Sequence, residues 1–196
     1  MGAVAGTQAQ CAILAAGLSK RMGEPKLLLQ LEGEPLVRRA MAASRDFPII
    51  VVVSRALAGS VTPAEGVTIV LNDEPERGMT HSLMLADRAA SDRTIPLAVL
   101  LGDTPLVDAA LVRRVVDALG DADVAYPVRG EVPGHPVVFG PRPRAAIATL
   151  PEGDTLRTLR SDARWRRVEV PIDDDRPFAD VDTPEDLARL RSLMER

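Results

Sequence analysis

Residues 11–26 read CAILAAGLSKRMGEPK, an apolar run that passes into a segment of small, glycine and cationic residues. The run at 11–15 is apolar at every position, which is typical of a strand buried on both faces in a parallel sheet. After it, two glycines let the backbone approach a ligand closely, and consecutive backbone N–H groups there form a concavity that binds anions. Because Lys20, Arg21 and Lys26 add three positive charges, the segment predicts a binding site for a triphosphate, with a solvated surface loop as the alternative.

Comparable apolar runs alternate with helical patterns along the rest of the chain. Such an alternation predicts an α/β protein with a three-layer, Rossmann-like fold and a mostly parallel sheet. Residues 129–140 are rich in glycine and proline, and they predict a small hairpin or loop inserted over the sheet. Further strands are predicted at 49–53, 67–71, 97–101, 123–126, 137–139 and 168–170. Helices are predicted at 35–44, 80–90, 108–119 and 184–194, the last two with Asp108 and Thr183 as N-caps.

Composition limits the chemistry that this chain can carry. Its 196 residues predict one domain over 1–196. The net charge of -4 argues against a nucleic-acid binder, which normally carries a basic stripe. A single cysteine excludes a disulfide within the chain and a Cys-rich zinc site. Because there are only two histidines, a bound metal has to be held by oxygen atoms, which points to Mg²⁺.

No segment predicts insertion into a membrane. The longest apolar runs, at 49–53 and 95–101, are far shorter than the roughly 20 residues that a transmembrane helix needs. Residues 1–10 lack the basic start of a secretory signal. We therefore expect a cytoplasmic protein that has no membrane partner.

The ends of the predicted strands carry the candidate metal ligands. Ligands of open α/β sheets bind beyond the carboxyl ends of the strands. Asp103 follows the strand at 97–101, and Asp180 and Asp182 follow the last strand, where an extended backbone points both side chains to one side. Asp103 also fits a turn or a helix cap, and the segment around Asp180 and Asp182 also fits the start of an N-capped helix. The loop after the first strand has neither the Rossmann glycine fingerprint nor a Walker A motif.

The pattern Leu-Ala-Ala-Gly-x-Ser-x-Arg-Met-Gly-x-x-Lys at 14–26 resembles the signature loop of the MobA-like nucleotidyltransferases. The resemblance extends over nearly the whole chain and implies the nucleotidyltransferase version of the fold. It is strongest to the molybdenum-cofactor cytidylyltransferases, because Ala15-Ala16-Gly17 stands where guanylyltransferase relatives usually read Ala-Gly-Gly. The same loop pattern occurs in sugar-phosphate nucleotidylyltransferases, so it specifies the chemistry better than the substrate.

The resemblance implies functions for the carboxylates and the cations. Asp103 matches the family aspartate that binds Mg²⁺ on the nucleotide, and Asp182 matches the residue that completes the metal site, with Asp180 in a supporting position. Thr104 stands where the cytidylyltransferases usually carry glutamine. The implied catalytic residues are Arg21, Lys26, Asp103 and His135.

A second set of residues is implied to bind the nucleotide. The stretch 72–82 resembles the family segment Asn-x-x-Trp-x-x-Gly-x-x-x-Ser, with Pro75 in place of the tryptophan, and it is implied to line the base and the ribose. Asn72 also fits a simple turn. The implied nucleotide-binding residues are Ala15, Ala16, Gly17, Arg21, Lys26, Asn72, Gly78 and Ser82.

The segment Gly134-His135-Pro136 matches one that is typical of the cytidylyltransferase branch. His135 is implied to face the acceptor, where it forms a hydrogen bond or removes a proton. An ordinary loop histidine is the alternative.

The activity that the resemblance implies is the Mg²⁺-dependent transfer of CMP from CTP to the phosphate of molybdopterin cofactor, with release of pyrophosphate. A molybdenum hydroxylase that receives the cofactor is the implied protein partner, and no nucleic acid is expected to bind. The alternatives are another NTP or another small phosphate acceptor, an oxidoreductase of a MobA-like branch, and a nucleotide-binding module without chemistry.

Overall fold

The structure, a computed structural model, describes residues 8–18, 25–151 and 153–194. Within these ranges the chain forms strands and helices in alternation. The strands are β1 (Gln10–Ala15), β2 (Gln30–Leu31), β3 (Glu34–Pro35), β4 (Ile49–Ser54), β5 (Val67–Asn72), β6 (Leu97–Leu101), β7 (Val124–Arg129), β8 (Val132–Pro133), β9 (Val137–Phe139) and β10 (Arg167–Pro171). The α-helices are α1 (Leu36–Ala43), α2 (Met79–Ala89), α3 (Ala109–Ala118), α4 (Pro141–Ala146), α5 (Leu156–Ser161) and α6 (Pro184–Met194).

The large sheet has the strand order β10-β7-β9-β6-β1-β4-β5, and β8 pairs with β7 at one end. β1 lies between β6 and β4 and is parallel to both. Leu14 of β1 is level with Leu101 of β6, so these two strands end at the same edge of the sheet. That edge is where ligands of open α/β sheets bind. β2 and β3 form a separate antiparallel pair.

Helices cover both faces of the sheet, which gives the predicted three layers. Every residue of β1 is buried, and successive side chains point into two different cores. Ile13 packs in the core that also holds Val37 of α1 and Val112 of α3, whereas Leu14 packs in the core that holds Leu83 of α2. Each such fully buried aliphatic side chain contributes about 1.5–3 kcal/mol, which explains why this apolar run lies inside the sheet, between β6 and β4.

The predicted strands and helices are all present, with small differences at their ends. Strand β7 continues to Arg129, three residues beyond the predicted end. Both predicted N-caps are confirmed by hydrogen bonds. Asp108 accepts from the backbone N–H of Leu111 at 2.8 Å, and Thr183 Oγ1 accepts from the backbone N–H of Asp186 at 3.2 Å.

The prediction for residues 129–140 is wrong in one respect. β7 and β8 do form a hairpin, but β9 lies within the sheet, antiparallel to both β6 and β7, and not over it. The reason is the length of the connection. Only seven residues separate Arg129 from Val137, whereas a parallel crossover needs about a dozen or more.

Two short helices have no counterpart in the predictions. Helix α4 begins Pro-Arg-Pro, a sequence that suggests a break, yet a proline in the first turn of a helix loses no hydrogen bond. Helix α5 has only six residues, too few for a clear helical pattern. None of the helices in the described part of the chain has the length and apolarity that crossing a bilayer requires.

Candidate active site

The carboxyl ends of β1 and β6 are held together by a close approach at Gly102. Its backbone N–H donates to the carbonyl oxygen of Leu14 at 3.1 Å. A Cβ atom at position 102 would lie 3.0 Å from Leu27 Cδ1 and 3.3 Å from Ala15 Cβ, so a larger residue would push these neighbours apart. This approach places Asp103 directly beside the turn that carries Lys26.

Lys26 joins the two predicted metal ligands. It begins a single 3-10 turn, Lys26–Leu28, and its Nζ atom donates to Asp103 Oδ2 and to Asp182 Oδ1, both at 2.7 Å. Burial alone would lower the pKa of Lys26, but the charges and hydrogen bonds of Asp103 and Asp182 outweigh it and raise that pKa above its ordinary value. The lysine is therefore a permanent cation between two carboxylates.

The C-terminal segment brings Asp182 to this position. The backbone N–H of Val181 donates to the carbonyl oxygen of Asp103 at 3.1 Å, and the Val181 side chain is fully buried. Asp186 Oδ2 accepts from the backbone N–H groups of Asp182 and Thr183, at 3.1 and 2.9 Å. Together with the Thr183 cap, this reciprocal arrangement is a capping box, so the first turn of α6 fixes one side of the site.

Asp180 is more exposed than Asp182, and a shared orientation of the two side chains stays a prediction. Partial burial raises the pKa of the Asp180 carboxyl, and the negative charges of Asp103, Asp182 and Asp186 raise it further. Asp182, and not Asp180, shares the lysine with Asp103. This geometry favours Asp182 as the second ligand, with Asp180 behind it.

The carboxylates fit a divalent cation that is shared with a substrate. Asp103 Oδ1 is buried and accepts no hydrogen bond from the described residues, so it has capacity for another partner. In the part of the chain that the structure describes, no cluster of three or more His, Cys, Asp or Glu side chains could hold a metal alone. Mg²⁺ is commonly held by one or two carboxylates plus substrate phosphates, which is what two converging aspartates can offer.

A cleft of about 410 Å³ opens beside these charges. Seven of the predicted site residues line it, namely Ala16, Gly17, Lys26, Gly78, Ser82, Asp103 and Asp182. The other lining residues are apolar. Pro75 and Met79 belong to the stretch 72–82, which the resemblance implies lines the base and the ribose, whereas Leu14, Leu18, Leu27 and Leu101 are not among the predicted site residues. The cleft thus has a charged end and apolar walls, which suits a nucleotide with its phosphates at one end and its base at the other.

One wall of the cleft is built by the stretch that precedes α2. Gly78 has φ of 86°, a backbone conformation that favours glycine, and it leads directly into the helix. Asn72 is fully buried behind this wall and does not line the cleft. Its side chain donates to Ser82 Oγ at 3.0 Å and accepts from the backbone N–H of Glu74 at 2.9 Å. Asn72 therefore shapes the wall, and contact with a nucleotide stays a prediction.

Ala15 and His135 also lie outside the cleft lining. Ala15 is fully buried. Arg21 lies outside the described residues. His135 is half-buried, and its Nδ1 atom is 3.2 Å from the carbonyl oxygen of Val99 in β6, a contact in which Nδ1–H donates. Burial lowers the pKa of His135 below its ordinary value, so this histidine is neutral at pH 7.

Comparison with known proteins gives a family match. The profile of the MobA-like NTP transferase domain matches residues 11–168. This range includes Lys26, Asp103 and His135 and ends before Asp182.

Two curated relatives differ in how much of their length corresponds to this chain. The molybdenum cofactor guanylyltransferase of Rhodobacter capsulatus is 32% identical over 198 aligned residues, which cover 94% of this chain and 95% of that protein. The bifunctional protein GlmU of Maricaulis maris is 38% identical over 136 residues, which cover 65% of this chain. The match spans only 29% of the length of GlmU.

Solved structures share the fold over almost their whole length. The crystal structure of Rv0371c from Mycobacterium tuberculosis H37Rv has a TM-score of 0.83 and 26% sequence identity, and it covers 95% of this chain and 98% of that one. A crystal structure of Rv0371c in complex with manganese has a TM-score of 0.79 at 25% identity and covers 95% of this chain and 99% of that one.

Proposed function

This chain belongs to the MobA-like NTP transferase family, and from that premise we propose that it transfers CMP from CTP to the phosphate of molybdopterin cofactor. A bond forms between an acceptor phosphate oxygen and the α-phosphorus of CTP, the bond from that phosphorus to the bridging oxygen breaks, and pyrophosphate leaves. The observation that carries the proposal is the convergence of Lys26, Asp103 and Asp182 at the charged end of an apolar cleft.

The cations of the chain bind the triphosphate in this proposal. Lys26 remains an ammonium at physiological pH, because its two carboxylate partners raise its pKa. It meets the phosphates from the floor of the cleft, and Arg21 is the second cation of the same loop. Positioning and charge neutralisation account for the catalysis, and no covalent intermediate with the protein is required.

Asp103 and Asp182 would hold Mg²⁺. When bound there, the ion supplies positive charge next to the phosphates and so favours the attack at phosphorus. The Oδ1 atom of Asp103, which accepts no hydrogen bond from the described residues, and the all-oxygen donor set support this assignment. The manganese complex of Rv0371c supports the use of a divalent ion at this type of fold.

Ala16 supports cytosine as the base. Its methyl group is part of the cleft lining, at the position where the resemblance places glycine in guanylyltransferases. The extra methyl group leaves less room along this wall, which favours the smaller pyrimidine over a purine. The cleft wall around Pro75 and Met79 is apolar and suits the faces of a base.

GTP is the second candidate donor, and the Rhodobacter capsulatus guanylyltransferase is the reason. That relative matches this chain along nearly its whole length at 32% identity. The two candidates share the acceptor and the chemistry and differ only in the base. In both cases the product is a dinucleotide form of the cofactor, and for the cytosine form a molybdenum hydroxylase is the proposed recipient.

The deciding experiment is a competition between the two donors. The purified protein is incubated with equal CTP and GTP, Mg²⁺ and molybdenum cofactor freshly released from a carrier protein, and the products are identified by mass. We expect the cytosine dinucleotide and an equal amount of pyrophosphate. If the product is the guanine dinucleotide, the donor is GTP and not CTP. If no dinucleotide forms, the proposed acceptor is wrong. An Ala16→Gly variant should raise the share of guanine product if the methyl group selects the base.

A further inference from the structure

A second cavity, of about 480 Å³, shares no lining residue with the nucleotide cleft. Its walls come from β7, the β7–β8 hairpin, α5 and β10. The polar side chains that line it include Tyr126, Glu131, Arg157, Arg160 and Glu169. The proposed reaction uses none of these residues.

Tyr126 contacts two of the other polar side chains that line this cavity, Glu169 and Arg160. Tyr126 Oη donates to Glu169 Oε1 at 2.8 Å. The guanidinium carbon of Arg160 lies 5.0 Å from the centre of the Tyr126 ring, within the range of a cation–π contact. Arg157 precedes Arg160 by three positions on α5, so both can reach the same side of the helix.

Two further arginines act on the charge of Arg160. Burial lowers the pKa of the Arg160 guanidinium, and the charges of Arg157 and Arg167 lower it further, although Tyr126 and Glu169 act in the opposite direction. An anion that enters the cavity would relieve the repulsion between the arginines.

The cavity adjoins the place where the reaction is proposed to occur. The pKa of His135 depends first on burial, and it also responds to Asp103, which belongs to the cleft, and to Arg160, which belongs to the cavity. The backbone N–H of Gly134 donates to the carbonyl oxygen of Pro127 at 2.8 Å, which holds the segment before His135 against β7. Thr80 Oγ1 at the start of α2 donates to the carbonyl oxygen of Asp154, which ties the segment before α5 to the nucleotide wall.

We propose that this cavity holds the acceptor, with Arg157 and Arg160 on its phosphate and Glu169 on the N–H edge of its heterocyclic ring. Guanidinium groups bind phosphate oxygens through paired, charge-assisted hydrogen bonds. A pterin ring presents adjacent N–H groups, from which a carboxylate accepts hydrogen bonds, and Glu169 has a second oxygen besides Oε1, which accepts from Tyr126. The inference rests on the proposed function, because it takes the phosphorylated pterin acceptor from there.

Neopterin monophosphate, a stable and fluorescent phosphorylated pterin, is the probe that tests this inference. Its anisotropy is followed as the full-length protein is added, with inorganic phosphate and unphosphorylated neopterin as competitors. CTP binding in the presence of Mg²⁺ is measured on the same samples. We expect the probe to bind more tightly than either competitor, because each competitor carries only one of the two recognised groups.

Substitutions in the cavity should distinguish binding of the phosphate of the probe from binding of its pterin ring. Arg157→Gln and Arg160→Gln should each weaken probe binding about tenfold or more, as expected for the loss of a charge-assisted hydrogen bond. Glu169→Gln should weaken probe binding but leave competition by inorganic phosphate unchanged. Arg164→Gln is the matched control, because Arg164 pairs with Asp162 and lies outside the cavity lining. CTP affinity should stay within about twofold in all four variants.

The outcomes distinguish the cavity from the function on which it rests. Probe binding that is undetectable up to about 1 mM in the wild type, or equal in the wild type and both arginine variants, overturns the inference. Probe binding no tighter than that of phosphate overturns the assignment of Glu169. A wild-type protein that fails to bind any nucleotide with Mg²⁺ refutes the proposed function instead. Arg160→Lys, which keeps the charge, should retain more binding than Arg160→Gln, and emission from the single tryptophan, Trp165, checks that each variant is folded.

Discussion

Two ion pairs in this molecule use similar groups for opposite purposes. Arg144 of α4 and Asp87 of α2 are almost fully buried, at 1% and 2% exposure, and their Nε to Oδ1 distance is 2.7 Å. Lys26 and Asp103 are also 2.7 Å apart, but their side chains are 12% and 20% exposed and line the open cleft.

The partners of each pair explain the difference. Arg144 Nη1 donates to the backbone carbonyl oxygens of Asp92 and Ile95, and Asp87 also accepts from Arg93. This buried network ties the helices to the loop before β6. The charges at Asp103 lie next to space that a ligand can enter, and one oxygen of Asp103 accepts no hydrogen bond from the described residues. The buried Arg144–Asp87 pair therefore stabilises the fold, whereas the accessible Lys26–Asp103 pair is available to a ligand.

The largest expected effect is on catalysis, from Asp103→Asn. The variant keeps the shape of the side chain and removes the negative charge to which we assign metal binding. We expect turnover to fall about a thousandfold, roughly 4 kcal/mol in the barrier, while the melting temperature changes by only a few degrees. Product formation and thermal unfolding are measured on the same preparation. Asp173→Asn, in an exposed turn, is the control, and wild-type turnover in Asp103→Asn would remove Asp103 from the metal site.

The next effect is on stability, from Arg144→Met. The methionine fills much of the same volume but leaves Asp87 buried with Arg93 as its remaining cationic partner. Breaking a buried pair in this way should cost about 3 kcal/mol of unfolding free energy. Denaturant unfolding measures this loss, and the folded fraction should retain its catalytic rate. Arg88→Met, at an exposed position of α2 next to Asp87, should change stability by less than about 0.5 kcal/mol. An Arg144→Met protein with unchanged stability and a reduced catalytic rate would contradict the purely structural role assigned to the Arg144–Asp87 pair.

A smaller effect should separate Asp182 from Asp180. Asp182→Asn should raise the Mg²⁺ concentration that gives the half-maximal rate about thirtyfold, because Asp182 shares the lysine with Asp103. Asp180→Asn should change this Mg²⁺ concentration by less than about threefold, because the Asp180 carboxylate is exposed and does not share the Lys26 ammonium group. Rates are measured across a Mg²⁺ titration. Equal effects of the two substitutions would mean that both aspartates hold the ion.

The smallest effect concerns the sealed interior of β1. Burial raises the pKa of the Cys11 thiol to about 12, and its hydrogen bond with Ser44 only partly opposes this. At pH 8 the thiol should therefore stay protonated and unreactive towards a disulfide reagent until the protein unfolds. Above pH 9.0 the unfolded chain loses this proton before the folded chain does, so stability should fall slightly as the pH rises. Rapid labelling of the native protein would show that β1 opens far more readily than its burial implies.

The central strands could be predicted because each is a continuous apolar run that tertiary contacts only reinforce. The direction of β9 could not be read from its own residues, since it depends on the length of the connection from β7. The site shows the same division. Resemblance identified Lys26, Asp103 and Asp182. Asp103 is 77 positions and Asp182 is 156 positions from Lys26 along the chain, so their sharing of one ammonium group follows from the order of the strands and not from a local pattern. The cavity around Arg160 had no local signal, because Arg157 and Arg160 lie in a helix of only six residues.

β9 has a consequence for how such a protein could acquire new substrates. It is antiparallel to both of its neighbours, so it forms a seam between one parallel block, β6-β1-β4-β5, and another, β7-β10. The first block carries the nucleotide loop and Asp103, and the second carries most of the acceptor cavity. Variation in the second block leaves the register of the first untouched. We therefore expect that a chimera joined at this seam could exchange its acceptor while its phosphate chemistry stays the same.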